Sequence, residues 1–403
     1  LGNCFQFAGQ DKSASDPDGS QPLLDQAITH YERLLEEYPE SPLREDAVFG
    51  LGFTHQIKGN NDQARSQFSR LVKDAADHAA APNALMQLAR IAFEEEDFGQ
   101  AENHYREFVE RYDDSKLVNS VHMELGLTYE RMRKYPEAIS SFGKIDENWE
   151  QWPKIQVKGA ELHMALQQYG EAEAVLAKAM GRVQDQALKS QLHYMAGRIN
   201  FVQQEYGPAI DELGKTLELS NSDEIVESAL LARGSAHYEL AKVHDTVGDR
   251  DASKISYEAS LTDMQNLLDR APGPYIKDSA YRTLGASMIS LGRVGEAAEY
   301  YDELIADTKE VQEQATFRML LTELLFENQD FDRAKENAQA LLELDFEDDN
   351  QAGYYRKERA YSIIGNALLQ ERRYDDAASV FSKGLRDYPN SGESANMAFS
   401  QAF

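Results

Sequence analysis

Alanines recur along this chain with nearly the same neighbours each time, at Ala27, Ala64, Ala101, Ala138, Ala172, Ala209, Ala252, Ala297, Ala334 and Ala377. Four residues after most of them stands a large apolar residue: Tyr31, Phe68, Tyr105, Phe142, Leu176, Leu213, Tyr301 and Phe381. Twelve residues before most of them stands glycine or alanine: Gly52, Ala89, Gly126, Ala160, Gly197, Gly285 and Gly365. Successive alanines lie 37, 37, 37, 34, 37, 43, 45, 37 and 43 residues apart. A period of about 20–50 residues marks a stacked repeat architecture, in which each unit buries its apolar face only on its neighbours.

Each unit is expected to hold two helices. Ala47, Val48, Leu51 and Phe53 fall near helical spacing, Gly59-Asn60-Asn61-Asp62 breaks the pattern, and Ala64, Phe68, Leu71 and Val72 resume it. Helices of about 12–14 residues are marginal alone in water, so each must bury its stripe on the next. Small residues at the crossing let two helices approach to about 8–10 Å, and the large residue four positions on fills the space beside it.

These residues resemble the tetratricopeptide repeat family, whose pattern is Leu-Gly-x-x-Tyr in a first helix, Ala-x-x-x-Phe in a second, and proline at the exit. Leu125-Gly126-Leu127-Thr128-Tyr129 followed by Ala138 and Phe142 is a close match, and Ile364-Gly365 with Ala377, Phe381 and Pro389 is another. Ala252 and Ala334 sit in weaker copies, with Ser256 and Ala338 where the ring is expected. The resemblance implies an all-α, right-handed α-solenoid of antiparallel helix pairs spanning 1–403. Within it, 1–42 is a truncated first repeat with a polar loop at 11–19, and 43–220 holds regular repeats. Longer irregular helices follow at 221–275, further repeats at 276–390, and a capping or truncated helix at 391–403.

The joints Tyr38-Pro39-Glu40-Ser41-Pro42, Tyr112-Asp113-Asp114-Ser115 and Tyr388-Pro389-Asn390-Ser391 each end a second helix, with a serine placed to cap the next. With the 37-residue spacing they resemble periplasmic repeat proteins of Gram-negative bacteria, of the Tol–Pal-associated and barrel-assembly lipoprotein types. That resemblance implies a periplasmic or outer-membrane-associated location and a complex with envelope proteins; a cytoplasmic array is the alternative. The chain starts with Leu1 inside a repeat, so a processed or trimmed start is expected, and Leu1-Gly2-Asn3-Cys4 has an alternative reading as a lipidation box.

The charge balance, 41 Lys+Arg against 70 Asp+Glu for a formal net charge of -29, repels phosphate backbones and anionic lipid surfaces. With Cys4 as the only cysteine, neither an intramolecular disulfide nor a multi-thiolate metal site can form. Gly214-Lys215-Thr216 lies inside a helical stretch and lacks the upstream glycine of a phosphate loop. His237 and His244 stand two turns apart, a poor spacing for a helical metal site, and no histidine–carboxylate–nucleophile cluster is evident. No catalytic residues, metal or cofactor are therefore assigned.

The resemblance implies that inner-surface residues stand three before, one after and four after each Gly/Ala site. Those positions hold Phe49, Phe53, Met86, Phe93, Met123, Leu127, Val157, Met164, Tyr194, Phe201, Met319 and Phe326. They either form a groove for an amphipathic helix or extended peptide, or pack between neighbouring first helices. The lysine and asparagine by which chaperone-docking members hold a carboxylate are replaced by Phe49 and Phe53, Met86 and Arg90, Met123 and Leu127. Trp149 and Trp152 either fill a joint or anchor a partner at the surface. The function expected is a non-enzymatic protein–protein scaffold; the alternatives are an arm of a larger enzyme or secretion machine, and a self-assembling array.

Overall fold

The computed structural model describes residues 1–13, 15–348, 355–389 and 394–401, and every regular element among them is an α-helix. The chain divides into two compact units, Leu1–Val183 and Gln184–Phe403, where periodicity alone suggested one array. The first unit holds α1 (Gly2–Ser13), α2 (Pro17–Glu37), α3 (Arg44–Ile57), α4 (Asn61–Asp74), α5 (Ala81–Glu94), α6 (Phe98–Arg111), α7 (Val118–Arg131), α8 (Tyr135–Phe142), α9 (Trp152–Ala165) and α10 (Tyr169–Met180). The second holds α11 (Gln186–Val202), α12 (Tyr206–Leu219), α13 (Asp223–Val247), α14 (Arg250–Leu268), α15 (Pro274–Ser290), α16 (Val294–Asp307), α17 (Val311–Glu327), α18 (Phe331–Glu343), α19 (Arg356–Gln370), α20 (Tyr374–Asp387) and α21 (Ser394–Gln401).

Within a unit each helix packs on the next, and in the second unit successive odd-numbered helices also touch, as the repeat pattern demands. The core of most pairs is a large side chain, usually a ring, seated in a notch. The recurring alanines Ala27, Ala64, Ala101, Ala138, Ala172, Ala209, Ala297, Ala334 and Ala377 are wholly buried. A Cβ added at Gly52, Gly126, Gly197, Gly285 or Gly365 would fall inside contact distance of Phe68, Phe142, Leu213, Tyr301 or Phe381 respectively. These glycines are there because the side chain sixteen residues on occupies the space a Cβ would need.

The turn from first to second helix repeats one geometry. A left-handed residue ends the first helix: Gly59, Glu96, Arg133, Gln167, Gln204, Gly248, Gly292, Gln329 and Arg372 all have positive φ. The next residue opens the second helix, and where it is aspartate it caps it. Asp97, Asp249 and Asp330 accept hydrogen bonds from the backbone N–H of Gln100 (3.0 Å), Ala252 (3.1 Å) and Arg333 (3.3 Å). In each of these nine pairs the left-handed residue precedes the small buried residue by five positions, and this corrects one register. Gly248 points to Ser253, which is buried with Tyr257 four residues on, whereas Ala252 is half-buried. The copy assigned to Ala252 and Ser256 is thus a full one, shifted by a residue. The Tyr257 hydroxyl donates to Asp245 Oδ2 at 2.9 Å, and Ser253 donates to Asp245 Oδ1.

Other boundaries also differ from expectation. The polar tract at 11–19 is not a loop: α1 runs to Ser13 and α2 starts at Pro17, with Asp16 accepting from the Gly19 N–H at 3.0 Å. Proline at the first position of a helix forfeits no hydrogen bond, so the tract starts a helix. Ser41 and Ser115 do not cap the following helices; each accepts from the N–H two residues on, at Leu43 (3.2 Å) and Leu117 (3.3 Å). Ser222 takes the N-cap position of the long helix α13 without bonding it through its side chain. Ser391, Asp349 and Asn350 lie outside the described residues. Asp348 accepts from the N–H groups of Arg356 (2.8 Å) and Lys357 (3.0 Å) and from the Tyr388 hydroxyl (3.0 Å), tying the start of α19 to the end of α20. Buried Met397 of α21 lies in the terminal core cluster with Phe381 and Ile364.

Candidate partner-binding faces

The residues singled out on the first helices divide into three kinds. Met86 and Met319 are core. Phe93, Phe201 and Phe326 brace turns: each packs against the ring opening the next helix, Phe98, Tyr206 or Phe331, at 5.4, 5.6 and 5.6 Å between centroids. Phe49, Phe53, Met123, Leu127, Val157, Met164 and Tyr194 are half-buried. Phe49 stacks on Phe53 at 6.1 Å and leans on Phe68 at 5.6 Å, so this pair covers the core of α3 and α4 while keeping an outer face. The stripe is therefore part packing and part surface, and Tyr194 and Phe201 belong to the second unit.

In the first unit the half-buried side chains are interleaved with charge. Arg90 of α5 donates from Nε to both carboxylate oxygens of Glu124 of α7, at 3.1 and 3.0 Å, and the Tyr105 hydroxyl donates to the same carboxylate at 2.7 Å. Burial raises the Tyr105 hydroxyl far above its ordinary pKa, and the negative Glu124 beside it adds to the shift. Lys158 of α9 reaches Glu130 of α7 at 3.0 Å. Between Phe93 and Leu127 these groups frame a depression of about 230 Å³, lined also by Arg90, Glu94, Tyr105 and Glu124. Its lining is mostly apolar, and Arg90, Glu124 and Tyr105 are bonded to one another. An apolar side chain could enter without breaking a hydrogen bond. Sequence reasoning named Phe93 and Leu127 here but missed Glu124, since nothing in a spacing pattern distinguishes a bridging carboxylate from a solvated one.

Trp152 is not a surface anchor. It is buried at the start of α9, with Lys178 Nζ of α10 and Arg182 Cζ just beyond that helix at 5.7 and 5.6 Å from its ring centroid. Glu147 holds both cations in place, bonding Lys178 and, at 2.7 Å, Arg182. Trp149 is half-buried in the same joint. Asp245, beside His244, is engaged by Ser253 and Tyr257, and Thr216 donates to the Glu212 carbonyl at 3.1 Å inside α12. Among the described residues no cluster of His, Cys, Asp or Glu could hold a metal ion, and no helix is long and apolar enough to cross a membrane. Cys4 is exposed.

Paired helices, a repeated left-handed turn and a ring-in-notch core define an α-helical repeat protein. Tetratricopeptide repeat models match residues 58–115, 86–151 and 319–392, and a second such model matches 24–41. Those segments are tetratricopeptide repeats; the long helices α13 and α14 lie outside them. No curated protein matches the chain. Among solved structures, a tetratricopeptide repeat protein from Parabacteroides merdae is 14% identical, covering 71% of this chain and 98% of its own, with a TM-score of 0.44. The C-terminal part of a repeat-containing protein from Cytophaga hutchinsonii is 12% identical over 69% of this chain and 99% of its own, with a TM-score of 0.49. A monomeric mutant of IFIT1 crystallised with Gppp-AAAA is 12% identical over 100% of this chain and 90% of its own, with a TM-score of 0.43.

Proposed function

We propose that this chain is a non-enzymatic scaffold that holds a partner helix or extended peptide along the first-helix face of its first unit, in a bacterial envelope assembly. The observation that carries the reading is the depression between Phe93 and Leu127, where apolar surface stays open while Arg90, Glu124 and Tyr105 bond one another. An apolar side chain of the partner fills it, and Phe53, Met123 and Met164 offer further apolar contact on other first helices. The tyrosine–proline–serine joints support the envelope location.

A photo-reactive residue at Leu127 or Met123, introduced into native cells, should cross-link one and the same protein; at Ser140 on α8 it should not. Leu127→Asp, and Phe53→Asp with Met123→Asp, should abolish co-purification of that protein while helical circular dichroism is unchanged. Retained binding would refute the reading, and loss of helix would show these side chains to be core. Cell fractionation tests the location separately, and a cytoplasmic protein would refute that part alone.

A further inference from the structure

In the second unit a cleft of about 410 Å³ opens between the second helices α12 and α14, with α13 along its floor. Pro208 and Ile210 of α12, Leu240 of α13, and Ile255 and Ala259 of α14 give it an apolar lining. Two departures from the repeat pattern make it. The first is on α13. Five residues before the left-handed turn residue, the first helix carries a buried side chain in eight of the nine pairs, Thr54, Ile91, Thr128 and Leu162 among them. In the ninth pair that residue is Val243, and it is 44% exposed. It stands one turn from Leu240 on the same face of α13, and exposed Val247 continues that face. The second departure is on the second helices. Seven residues after the left-handed residue, eight of them carry a small or polar residue, such as Ser66, Asn103 or Ser140; α14 carries Ile255, which is 70% exposed. Four residues after it, seven of them carry Gln, Glu, Asp or Arg, whereas the two that border the cleft carry Pro208 and Ala252. Apolar side chains replace polar ones just where the cleft opens, and an exposed apolar patch of this kind marks an interaction site.

We propose that this cleft is a second docking site, for a short amphipathic helix of a partner protein whose apolar face is flanked by lysine or arginine. The walls are helices and offer no strand edge to an extended peptide, whereas a third helix packs its ridges into the groove between two others. The basic flank follows from charge. Asp211 lines the cleft, and Asp251 stands one turn before Ile255 on the same face of α14. Neither carboxylate has an ion-pair partner among the described residues. The cations of the first turns of α14, Arg250 and Lys254, lie about 140° and 100° round the helix from Ile255. Lys215 of α12 is engaged by Glu212 at 2.6 Å. His237 also lines the cleft; burial lowers its imidazole below the ordinary value, so it adds no positive charge at neutral pH. The cleft therefore presents apolar surface with uncompensated negative charge beside it, which complements a basic amphipathic helix. The site does not rest on the first-helix face of the first unit.

The probe is a Leu–Lys amphipathic peptide of about 14 residues, titrated into the full chain. Binding is read at the δ1-methyl resonance of Ile255, identified by its loss in Ile255→Val, so that attachment elsewhere on an acidic chain is not counted. The resonance should shift saturably. A peptide with glutamate in place of lysine should bind at least about 10-fold more weakly, and one with serine in place of leucine should leave the resonance where it is. Ala259→Lys places in the cleft the residue that α8 and α12 carry at the same position, Lys144 and Lys215, so the fold should keep its helical circular dichroism. It should weaken the Leu–Lys peptide by about 10-fold or more. Asp211→Asn with Asp251→Asn should narrow the gap between the Leu–Lys and Leu–Glu peptides. A silent Ile255 resonance, equal affinity for those two peptides, a shift with the Ser–Lys peptide, or unchanged affinity in Ala259→Lys would each overturn the proposal. Self-association in sedimentation that Ala259→Lys abolishes would give the cleft to a second copy of the chain and overturn it as well.

Discussion

Two glycines in the middle of first helices should respond to the same substitution in opposite directions. Gly126 lies in α7 and Gly159 in α9, and both are buried. Replacing a helical glycine by alanine gains about 0.8–1.0 kcal/mol of helix propensity. At Gly159 the added Cβ meets only Val175 Cγ1 at 3.9 Å, an ordinary contact, so that gain should be realised nearly in full. At Gly126 the Cβ enters the Phe142 ring, with even Cζ only 2.9 Å away. The ring is 3% exposed and has nowhere to move. Overpacking of this kind costs about 1–3 kcal/mol, which outweighs the propensity gain and leaves a net loss of about 1 kcal/mol. The two variants should then differ by about 2 kcal/mol, or roughly 4–8 °C in Tm for a unit of this size. Trp149 and Trp152, the only tryptophans, lie in the joint after α8 and report unfolding of this region by fluorescence. Because repeat arrays depart from two-state behaviour, this local probe is the right one. Phe142→Leu should restore part of the loss in Gly126→Ala. Gly126→Ala equal to or more stable than Gly159→Ala would refute the notch as the reason for glycine.

The left-handed turn residues supply a second test: Gln167→Gly, Gln204→Gly and Gln329→Gly should each raise Tm slightly, by about 0.5 kcal/mol of stability, whereas Gly248→Ala should lower it. For the corrected register, Ser253→Leu should lose helical signal on mild heating while Ala252→Leu is tolerated; the reverse would restore the original alignment. In acid, two carboxyls report on folding. A hydrogen bond from Lys277 holds Glu313 below its ordinary pKa against an opposing burial effect, with Thr308 assisting. Burial would raise Glu212, but hydrogen bonds from Lys215 and His193 outweigh it and lower it too. A lowered folded-state pKa gives stability that is complete above the unfolded value, near 4.5, and is lost as pH falls through the folded one. Glu313→Gln and Glu212→Gln should therefore flatten the acid limb of a Tm–pH curve, with little change in its slope above pH 6.

The helix pairs were legible because their signal is steric and local. A buried alanine, a large side chain four residues on and a small residue beneath it recur in most of the nested pairs. The same signal failed where a different small residue did the job: Ser253 fills the alanine's place, and neighbouring Ala252 drew the alignment one residue off. Composition misled at 11–19, because polar residues that favour a loop also cap and start helices, as Asp16 and Pro17 do. The partner-facing residues were least legible. Position along a first helix predicted where Phe93, Phe201 and Phe326 sit, but not that each packs against an aromatic five residues later. Of the two readings for Trp152, its burial beneath Lys178 and Arg182 matches the filled joint rather than the anchor.

The shared turn also bears on how each unit answers force. A helix here touches little beyond the pairs on either side, and the nine left-handed residues sit at bends where the backbone is already reversed. Under tension along the stack the pairs behave as springs in series, each stretched by the same load. Single-molecule pulling should show gradual give followed by the release of one pair at a time, a sawtooth of small steps, with the first steps at the pairs holding the smallest rings.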